Sequence, residues 1–405
     1  MKRNRWVYAA VGVVTLLLAG LVYAWSVLSL PLGAYFTEWS KAQLSLTFTI
    51  CMMCFCFGCM AGGMTAGKLN VKFNVWISGA LFFIGFFIAS RAQSAAVLYL
   101  GYGVFCGFAS GFVYNAVLST MSAWFPDKQG LISGILLMGF GLSSFIVGKV
   151  YQAVTPSGEG IEAWRTSFFV FGIILAAVLA VCGCFFVKPS KEDLEELGIS
   201  ASGKKKAAGA GLDIDTKQMV ARSSFWLFFL WTICIGGAGM ALISQAGGIA
   251  REVGPEVAAG TIATVVGLIS IFNGLGRVFF GNLFDKKGRK VTMLTVGAAF
   301  GISSLLLVGA LTAGAFPLII AGFICCGFSY GGLNPSISAF VNSSYGGTHY
   351  PMNFSVMNLN LLAASFGGTI AGILFDASGS YMTTLFYMIG SAVVSLVFTL
   401  AIRKI

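Results

Sequence analysis

The sequence predicts an all-α integral membrane protein in which twelve transmembrane helices form two pseudo-symmetric six-helix halves. Of the 405 residues, 57% are apolar and 10% are charged, whereas soluble domains carry about 25% charged residues. That much apolar surface needs lipid as its solvent, and a helix can cross lipid because it satisfies its own backbone hydrogen bonds. A short string that occurs once in each half indicates the repeat.

Twelve apolar stretches are long enough to cross a bilayer, which takes about 20 helical residues. We place the helices at 6–30, 42–67, 73–90, 95–122, 130–154, 164–187, 223–248, 258–282, 290–312, 316–340, 352–375 and 381–402. The first stretch is too long for the apolar region of a signal peptide, so we interpret it as a transmembrane helix.

The longest polar segment divides the chain into an N-terminal half at 1–187, a cytoplasmic linker at 188–222 and a C-terminal half at 223–405. In the fourth helix of the first half, residues 106–111 read CGFASG, and in the fourth helix of the second half residues 326–331 read CGFSYG. The same string at an offset of 220 residues indicates an internal repeat, which is typical of transporters.

Lysine and arginine place both termini in the cytoplasm, because basic residues concentrate in cytoplasmic loops. In that orientation, 19 of the 25 basic residues lie in cytoplasmic segments. The other six are Lys41, Arg91, Arg165 and Arg251 in outside segments, and Lys149 and Arg277 within helices. The bias predicts a multi-pass protein of the inner cell membrane, and it explains the net charge of +11 without a nucleic-acid partner.

Cysteine and acidic residues argue against several kinds of site. Cys51, Cys54, Cys56 and Cys59 are spaced like metal ligands, but they lie in an apolar stretch where cysteine acts as a small hydrophobe. We therefore predict no metal and no disulfide framework. All fourteen acidic residues fall in predicted loops or at helix ends. Because no catalytic carboxylate pair can be assembled within the membrane, we predict no enzyme activity and no cofactor.

Arg277 lies inside the predicted helix at 258–282, more than one turn from its cytoplasmic edge. Its side chain should point toward the N-terminal end of that helix, and therefore into the membrane. Arginine stays charged there, and its planar guanidinium fits a carboxylate. Ser270, Asn273 and Arg277 are spaced to share one helix face. We interpret this face as a carboxylate site. The alternative is a structural arginine that reaches back to the membrane edge.

Polar residues in four other helices are candidates for the same site, since tyrosine hydroxyls can bond a carboxylate while the rings wall a cavity. These candidates are Tyr23, Tyr114, Tyr330 and Asn358, and each could instead form a hydrogen bond between helices. Lys149, near the outer end of the fifth helix, is either an interfacial lysine or a second cation that attracts anions.

Residues 281–290 read GNLFDKKGRK, so that Gly281, Asp285, Gly288 and Arg289 follow the pattern G-x-x-x-D-x-x-G-R-K. In a predicted loop between the second and third helices of a half, this pattern resembles the signature of the major facilitator superfamily. The first-half loop, which begins at Gly63, lacks the aspartate. The resemblance implies the major facilitator fold and a gating role that only the second copy could perform in full.

Three further strings narrow the resemblance: YAWS at 23–26, WFPDKQG at 124–130 and NGLGR at 273–277. They are similar to the oxalate/formate antiporter family and its monocarboxylate-transporter relatives. In that family the helix-eight arginine binds the substrate carboxylate, which implies this role for Arg277. The oxalate exchanger also uses a lysine in helix eleven, and residues 358–362 contain none. Proton-coupled relatives commonly carry aspartate at the position of Asn273, so the resemblance argues against proton symport by that route.

The residues and the resemblance together predict a secondary active transporter of small carboxylate anions that works by alternating access. One arginine favours monocarboxylates such as lactate, pyruvate or formate, because a dianion would prefer two cations. The alternatives are an oxalate/formate-type dicarboxylate exchanger and, from other classes, a drug exporter or a non-transporting membrane sensor. The predicted partners are the organic anion, a proton or counter-anion, and the lipid bilayer. We expect a monomer.

Reporter fusions test the predicted orientation. A reporter at Gly203 in the linker and one at Gly158 should report opposite sides of the membrane, because the charge bias places the linker in the cytoplasm. A third fusion after Ile405 should match the one at Gly203. Signals from the same side for Gly203 and Gly158 would contradict the topology.

Overall fold

The computed structural model describes residues 4–39, 41–156, 158–196 and 212–402. Part of the predicted linker, residues 197–211 with Gly203, lies outside the described residues. Apart from one isolated bridge between Ala66 and Leu69, the regular structure of the described chain is helical.

Six long helices form the first half of the chain. They are α1 (Arg5–Tyr35), α2 (Lys41–Thr65), α3 (Val71–Ser90), α4 (Ala95–Trp124), α5 (Gln129–Val154) and α6 (Ala163–Phe185). Within α1 the segment Gly20–Ala24 is a 3-10 helix, and within α4 the segment Tyr99–Cys106 is a π-helix. Two short helices, Lys191–Glu196 and Thr216–Val220, lie between the halves.

The second half repeats this plan. It begins with α7 (Ser223–Val253), continues through the helical stretch Ala259–Ala313, and ends with α10 (Phe316–Tyr345), α11 (Tyr350–Ser378) and α12 (Met382–Ala401). In Ala259–Ala313 only Gly288 is non-helical, with φ 75° and ψ 178°. We call the part before Gly288 α8 and the part after it α9.

The predicted loop between the helices at 258–282 and 290–312 is wrong in extent. Helix α8 continues to Lys287, and the chain changes direction at Gly288, where a left-handed φ favours glycine. Length and composition allow eleven stretches of the described chain to cross a membrane, and one of these, Thr264–Ala313, has 50 residues. Since Gly288 divides that stretch into α8 and α9, the predicted twelve-helix fold is confirmed.

The internal repeat is confirmed by how its glycines pack. In the first half, a Cβ added at Gly107 or Gly111 of α4 would overlap a main-chain carbonyl oxygen of α2. In the second half, a Cβ at Gly327 or Gly331 of α10 would overlap a carbonyl oxygen of α8. The oxygens concerned belong, in the same order, to Cys51, Phe55, Ile269 and Asn273. Small residues let helix backbones approach closely in lipid, so both halves build the same crossing from the repeated string.

The chain folds into two compact units whose boundaries differ from those of the two halves. The first unit comprises Met1–Pro126, Gly139–Ala208 and Tyr350–Asn358, and the second comprises Asp127–Met138, Gly209–His349 and Leu359–Ile405. The start of α5 therefore belongs to the second unit, and the start of α11 belongs to the first.

The end of the linker is attached to the second unit. The main-chain N–H groups of Leu212 and Ile214 donate to the carbonyls of residues 344 and 345, each at 3.1 Å. Between them, the carboxylate of Asp213 accepts from the amide of Thr348 at 3.2 Å and from its hydroxyl at 2.6 Å. These bonds fix the chain just before Thr216–Val220 to the end of α10 and to the loop that follows it.

A glycine substitution tests the repeated crossing. Gly327→Ala should lower the free energy of unfolding by about 1–3 kcal/mol, because the methyl group would force α10 away from α8. Gly247→Ala in α7 is the matched control, since no heavy atom lies within 4 Å of the added Cβ. Thermal unfolding of the purified proteins in detergent measures both. Equal transition temperatures would contradict the close approach of α8 and α10.

Candidate functional site

Arg277 lies in α8 and is 8% exposed. Its Nε donates to the Oδ1 of Asn273, one turn earlier, at 3.0 Å, and its Nη1 donates to the main-chain carbonyl of Leu137 in α5. Both of these acceptors are neutral oxygens, and they orient the guanidinium. All three residues belong to the second unit. The structure thus supplies a buried guanidinium whose Nε and Nη1 each donate to an oxygen of the second unit.

Glycines explain how α5 reaches Arg277. A Cβ at Gly134 would overlap the carbonyl oxygen of Arg277, and a Cβ at Gly130 would overlap that of Gly281. The two backbones therefore touch along one turn, and Leu137, three residues after Gly134, presents its carbonyl to the guanidinium. Sequence reasoning missed Leu137 because a main-chain acceptor has no residue preference. The small-residue spacing of Gly130 and Gly134 was the signal that could have indicated the contact.

The predicted polar face of α8 is present in part. Asn273 and Arg277 are in direct contact, as their spacing indicated. Ser270 lies on the exposed part of the helix, two turns before Arg277. The structure therefore brings two of the three predicted residues together.

Asp285 lies near the end of α8 and holds the start of α5. Its two carboxylate oxygens accept from the main-chain N–H groups of Gly130 at 2.7 Å and Leu131 at 2.8 Å. The first N–H groups of a helix lack intrahelical partners and carry partial positive charge, so a carboxylate there is stabilising. The acidic residue of the motif thus acts as a cap for a neighbouring helix.

The other motif residues have separate contacts. Gly281 packs against the main chain of Gly130, and Gly288 makes the turn between α8 and α9. Arg289 donates from Nη2 to the carbonyl of Ile402, just after α12, at 3.1 Å. Each residue of the pattern therefore has a definite position in the second unit.

Two of the predicted tyrosines share an aromatic cluster in the first unit. The rings of Tyr23 and Tyr114 lie 5.4 and 5.2 Å from that of Phe140. Tyr114 is also 5.1 Å from Phe55 and 5.8 Å from Phe354. Distances in this range are typical of favourable aromatic pairs. The cluster joins residues of α1, α2, α4, α5 and the start of α11.

The remaining candidates lie elsewhere. Tyr330 of α10 packs its ring against Gly239 of α7 in the second unit. Asn358 is 2% exposed, and its amide donates to the carbonyl of Phe354 in its own helix at 2.8 Å. Lys149 is exposed, with its Nζ 4.9 Å from the ring centre of Phe145. The amide of Asn358 therefore bonds within its own helix, while Lys149 makes a cation–π contact in the first unit.

The first unit contains a buried polar cluster that sequence reasoning missed. The amide of Asn115 donates to the hydroxyl of Ser355 at 2.8 Å and to the carbonyl of Pro351 at 2.9 Å. Ser355 lies 2.7 Å from the carbonyl of Cys59 and 3.9 Å from its sulfur. We call Cys59, Asn115, Pro351 and Ser355 the neutral cluster. It attaches the start of α11 to α2 and α4 without any charged group.

The cysteines are free thiols in the described structure. Within the described residues, no group of three or more histidine, cysteine or acidic side chains could hold a metal ion. Cys59 belongs to the neutral cluster, where its sulfur and its carbonyl oxygen both contact Ser355.

Twelve membrane-spanning helices in two repeated halves, with a charged side chain buried among them, define a membrane transporter. The family model of the Major Facilitator Superfamily matches residues 10–359 and 246–404. The chain belongs to this superfamily, and the resemblance seen in the motif at 281–290 is confirmed.

Individual proteins agree with this assignment. The chain is 25% identical over 378 residues to the oxalate:formate antiporter of Oxalobacter formigenes, covering 92% of this chain and 85% of the relative. It is 24% identical to monocarboxylate transporter 11 of Homo sapiens, covering 82% and 69%. Among solved structures, the proton:xylose symporter XylE matches with a TM-score of 0.74 at 13% identity, covering 98% of this chain and 95% of that one. The structural match supports the fold.

Asp285→Ala tests the cap on α5. Removing the carboxylate leaves two N–H groups at the helix start without their acceptor, so the free energy of unfolding should fall by about 0.5–2 kcal/mol. Asp376→Ala is the control, because Asp376 is an exposed acid elsewhere in the second half. Thermal unfolding in detergent compares the two, and an equal effect of both changes would show that the cap contributes nothing.

Proposed function

We propose that this protein is a secondary active transporter of small carboxylate anions that works by alternating access, with Arg277 as the anchor of the substrate carboxylate. The observation that carries the proposal is the environment of Arg277, which is buried and held by the neutral oxygens of Asn273 and Leu137. Ionisable side chains at membrane depth are rare and mark functional sites by default. A planar guanidinium with five N–H donors fits a substrate carboxylate.

The relatives support the same chemistry. The oxalate:formate antiporter and the monocarboxylate transporters are named for carboxylate substrates, and a bidentate guanidinium–carboxylate pair is a strong, charge-assisted contact. Asn273 adds an amide beside the guanidinium, and Ser270, Tyr23, Tyr114, Tyr330 and Asn358 remain proposed contributors to substrate binding. Gly281, Asp285, Gly288 and Arg289 are the proposed gating residues.

Monocarboxylates such as lactate, pyruvate or formate are the proposed substrates. The region 358–362 of α11 supplies asparagine and leucine but no lysine, so the segment that matches the second cation of the oxalate exchanger is neutral here. Dicarboxylate exchange of the oxalate/formate type is the second candidate. It is favoured by the similarity to the antiporter of Oxalobacter formigenes, and Lys149 is its candidate second cation.

The distribution of lysine and arginine supports an orientation with both termini in the cytoplasm. We further propose that the protein is a monomer of the inner cell membrane. A counter-anion or a proton is the proposed coupling ion.

Uptake into proteoliposomes tests the function directly. Labelled formate, lactate, pyruvate and oxalate should be offered with and without a pH gradient, and with each unlabelled anion inside the vesicles. We expect saturable uptake of the monoanions. Uptake stimulated by an internal anion would identify exchange, and uptake driven by the pH gradient would identify proton coupling. Transport of none of the four anions would refute the proposal.

Arg277 variants test the anchor. Arg277→Lys keeps the charge but loses the planar fork, so carboxylate binding should weaken markedly. Arg277→Ala should lower affinity by roughly ten- to a hundredfold, as expected for loss of a charged hydrogen bond of about 1.5–3 kcal/mol. Arg251→Ala, at the exposed end of α7, is the matched control. Calorimetric titration with lactate and formate measures all three. Unchanged affinity in a well-folded Arg277→Ala protein would leave Arg277 with a structural role.

A further inference from the structure

Helix α1 changes its winding at Gly20–Ala24, where five residues form a 3-10 helix between two α-helical parts. The segment is buried except at Tyr23, which is half-buried and packs its ring against that of Phe140. A 3-10 stretch in the middle of a longer helix often marks a functional position or a strained sequence. The contacts of the segment show what holds it in this form.

Two hydroxyl groups of α4 donate to main-chain carbonyls of α1 at this segment. Ser110 donates to the carbonyl of Ala19 at 2.8 Å, and Tyr102 donates to that of Leu21 at 3.0 Å. Both donors are fully buried. A side chain that enters the hydrogen-bond ladder of a helix changes the helix locally. The two hydroxyls therefore stabilise the 3-10 form of α1.

The side chain of Tyr102 is held in one position. Its ring centre lies 4.5 Å from that of Trp25 in α1, 5.7 Å from Phe86 in α3 and 6.4 Å from Phe168 in α6. Tyr102 also belongs to the π-helix Tyr99–Cys106, a conformation that is frequent at functional sites. Because the ring is packed from three helices, its hydroxyl has a fixed direction toward α1.

The second half of the chain supplies an internal comparison. At the offset of 220 residues that relates the two copies of the repeated string, Gly322 stands at the position of Tyr102 and has no hydroxyl to donate. Helix α7, the first helix of that half, is α-helical throughout Ser223–Val253. The 3-10 segment therefore occurs in the half that has the tyrosine.

The winding of α1 determines the direction of Tyr23. A 3-10 helix turns by about 120° and rises by about 2.0 Å per residue, against about 100° and 1.5 Å in an α-helix. Over the three steps from Gly20 to Tyr23, the difference amounts to about 60° of rotation and about 1.5 Å of length. The backbone at Gly20 is fixed, because a Cβ there would overlap the carbonyl oxygen of Phe140. A continuous α-helix would therefore turn Tyr23 to another direction.

We propose that Tyr102 is a positioning residue for substrate binding. Its hydroxyl holds Gly20–Ala24 in the 3-10 form, and this form directs the hydroxyl of Tyr23 toward a substrate carboxylate. The inference rests on the proposed function, in which Tyr23 contributes to carboxylate binding. Tyr102 does not contact the substrate and acts through the backbone of α1. Ser110 supports the same form at the carbonyl of Ala19.

Fluorine NMR of 3-fluorotyrosine placed at position 23 tests the positioning on the full-length protein in detergent. Tyr102→Phe removes the hydroxyl and keeps the ring, so it should shift the resonance of position 23. Tyr99→Phe should leave the resonance in place. It is the matched control, because it removes a hydroxyl of the same π-helix that donates to the carbonyl of Gln43 in α2 at 3.0 Å.

An unchanged resonance in the Tyr102→Phe protein would overturn the inference. If Tyr102→Phe does not fold, Ser110→Ala removes the neighbouring bond to α1 and should shift the same resonance. An unchanged resonance in a folded Ser110→Ala protein would then overturn the inference in the same way.

Calorimetric titration with L-lactate connects the positioning to substrate binding. Tyr102→Phe should weaken lactate binding by about two- to tenfold, the equivalent of one hydrogen bond. In a Tyr23→Phe protein the same change should have no further effect, because the hydroxyl that Tyr102 positions is already missing. An equal loss in both backgrounds would show that Tyr102 acts elsewhere, and unchanged affinity in Tyr102→Phe would show that it does not act on binding. Either result would contradict the proposal.

The outcomes separate this inference from the proposed function. Wild-type lactate affinity in the Tyr23→Phe protein would remove the role of Tyr102, while binding that still depends on Arg277 would leave the proposed function intact. Failure of the wild-type protein to bind any of formate, lactate, pyruvate or oxalate would refute the proposed function. The role of Tyr102 in binding would then fail with it, whatever the fluorine spectrum shows.

Discussion

Contact between helix backbones at glycine is the constraint on which the rest of the second unit depends. Helix α8 is approached on one side by Gly327 and Gly331 of α10 and on another by Gly134 of α5. Lipid provides no hydrophobic force that draws helices together, so close van der Waals packing must do so. At this separation a main-chain carbonyl of α5 comes within reach of an arginine on α8, which a bulkier crossing would prevent. Because glycine has no side chain, Gly134 lets the two backbones approach until the Leu137 carbonyl can accept from Arg277.

The two halves use one scaffold for different chemistry. The glycine crossings of α2 with α4 and of α8 with α10 match position by position. The polar side chains near the two crossings do not match. Where the second unit has Arg277 and the capping carboxylate of Asp285, the first has the thiol of Cys59 and an amide–hydroxyl pair. The repeated crossings therefore carry a buried arginine, Arg277, in the second unit and a buried cysteine, Cys59, in the first.

Much of the fold was predictable, because lipid imposes a length and a composition on every crossing. The twelve helices, the repeat and the motif at 281–290 all follow from residue type and spacing. The extent of the predicted loop was wrong because polar residues such as Lys286 and Lys287 can continue a helix beyond the membrane edge, and only Gly288 has a backbone conformation that ends it. Arg277 with Asn273 was predictable from helical periodicity. The carbonyl of Leu137 and the pairing of Asn115 with Ser355 were not, since they depend on which distant helices meet.

The attachment of Leu212, Asp213 and Ile214 to the end of α10 and the loop after it determines how the chain can be divided. A protein of two repeated halves can be expressed as two separate fragments, one for each half. The linker between the halves is the obvious place to divide the chain. The final residues of that connection are nevertheless built into the C-terminal half. A break introduced upstream of Leu212 keeps these bonds in the C-terminal fragment, whereas a break at the start of α7 would leave the loop after α10 without its neighbour. The boundary for a split protein is therefore set by hydrogen bonding and not by the end of the membrane span.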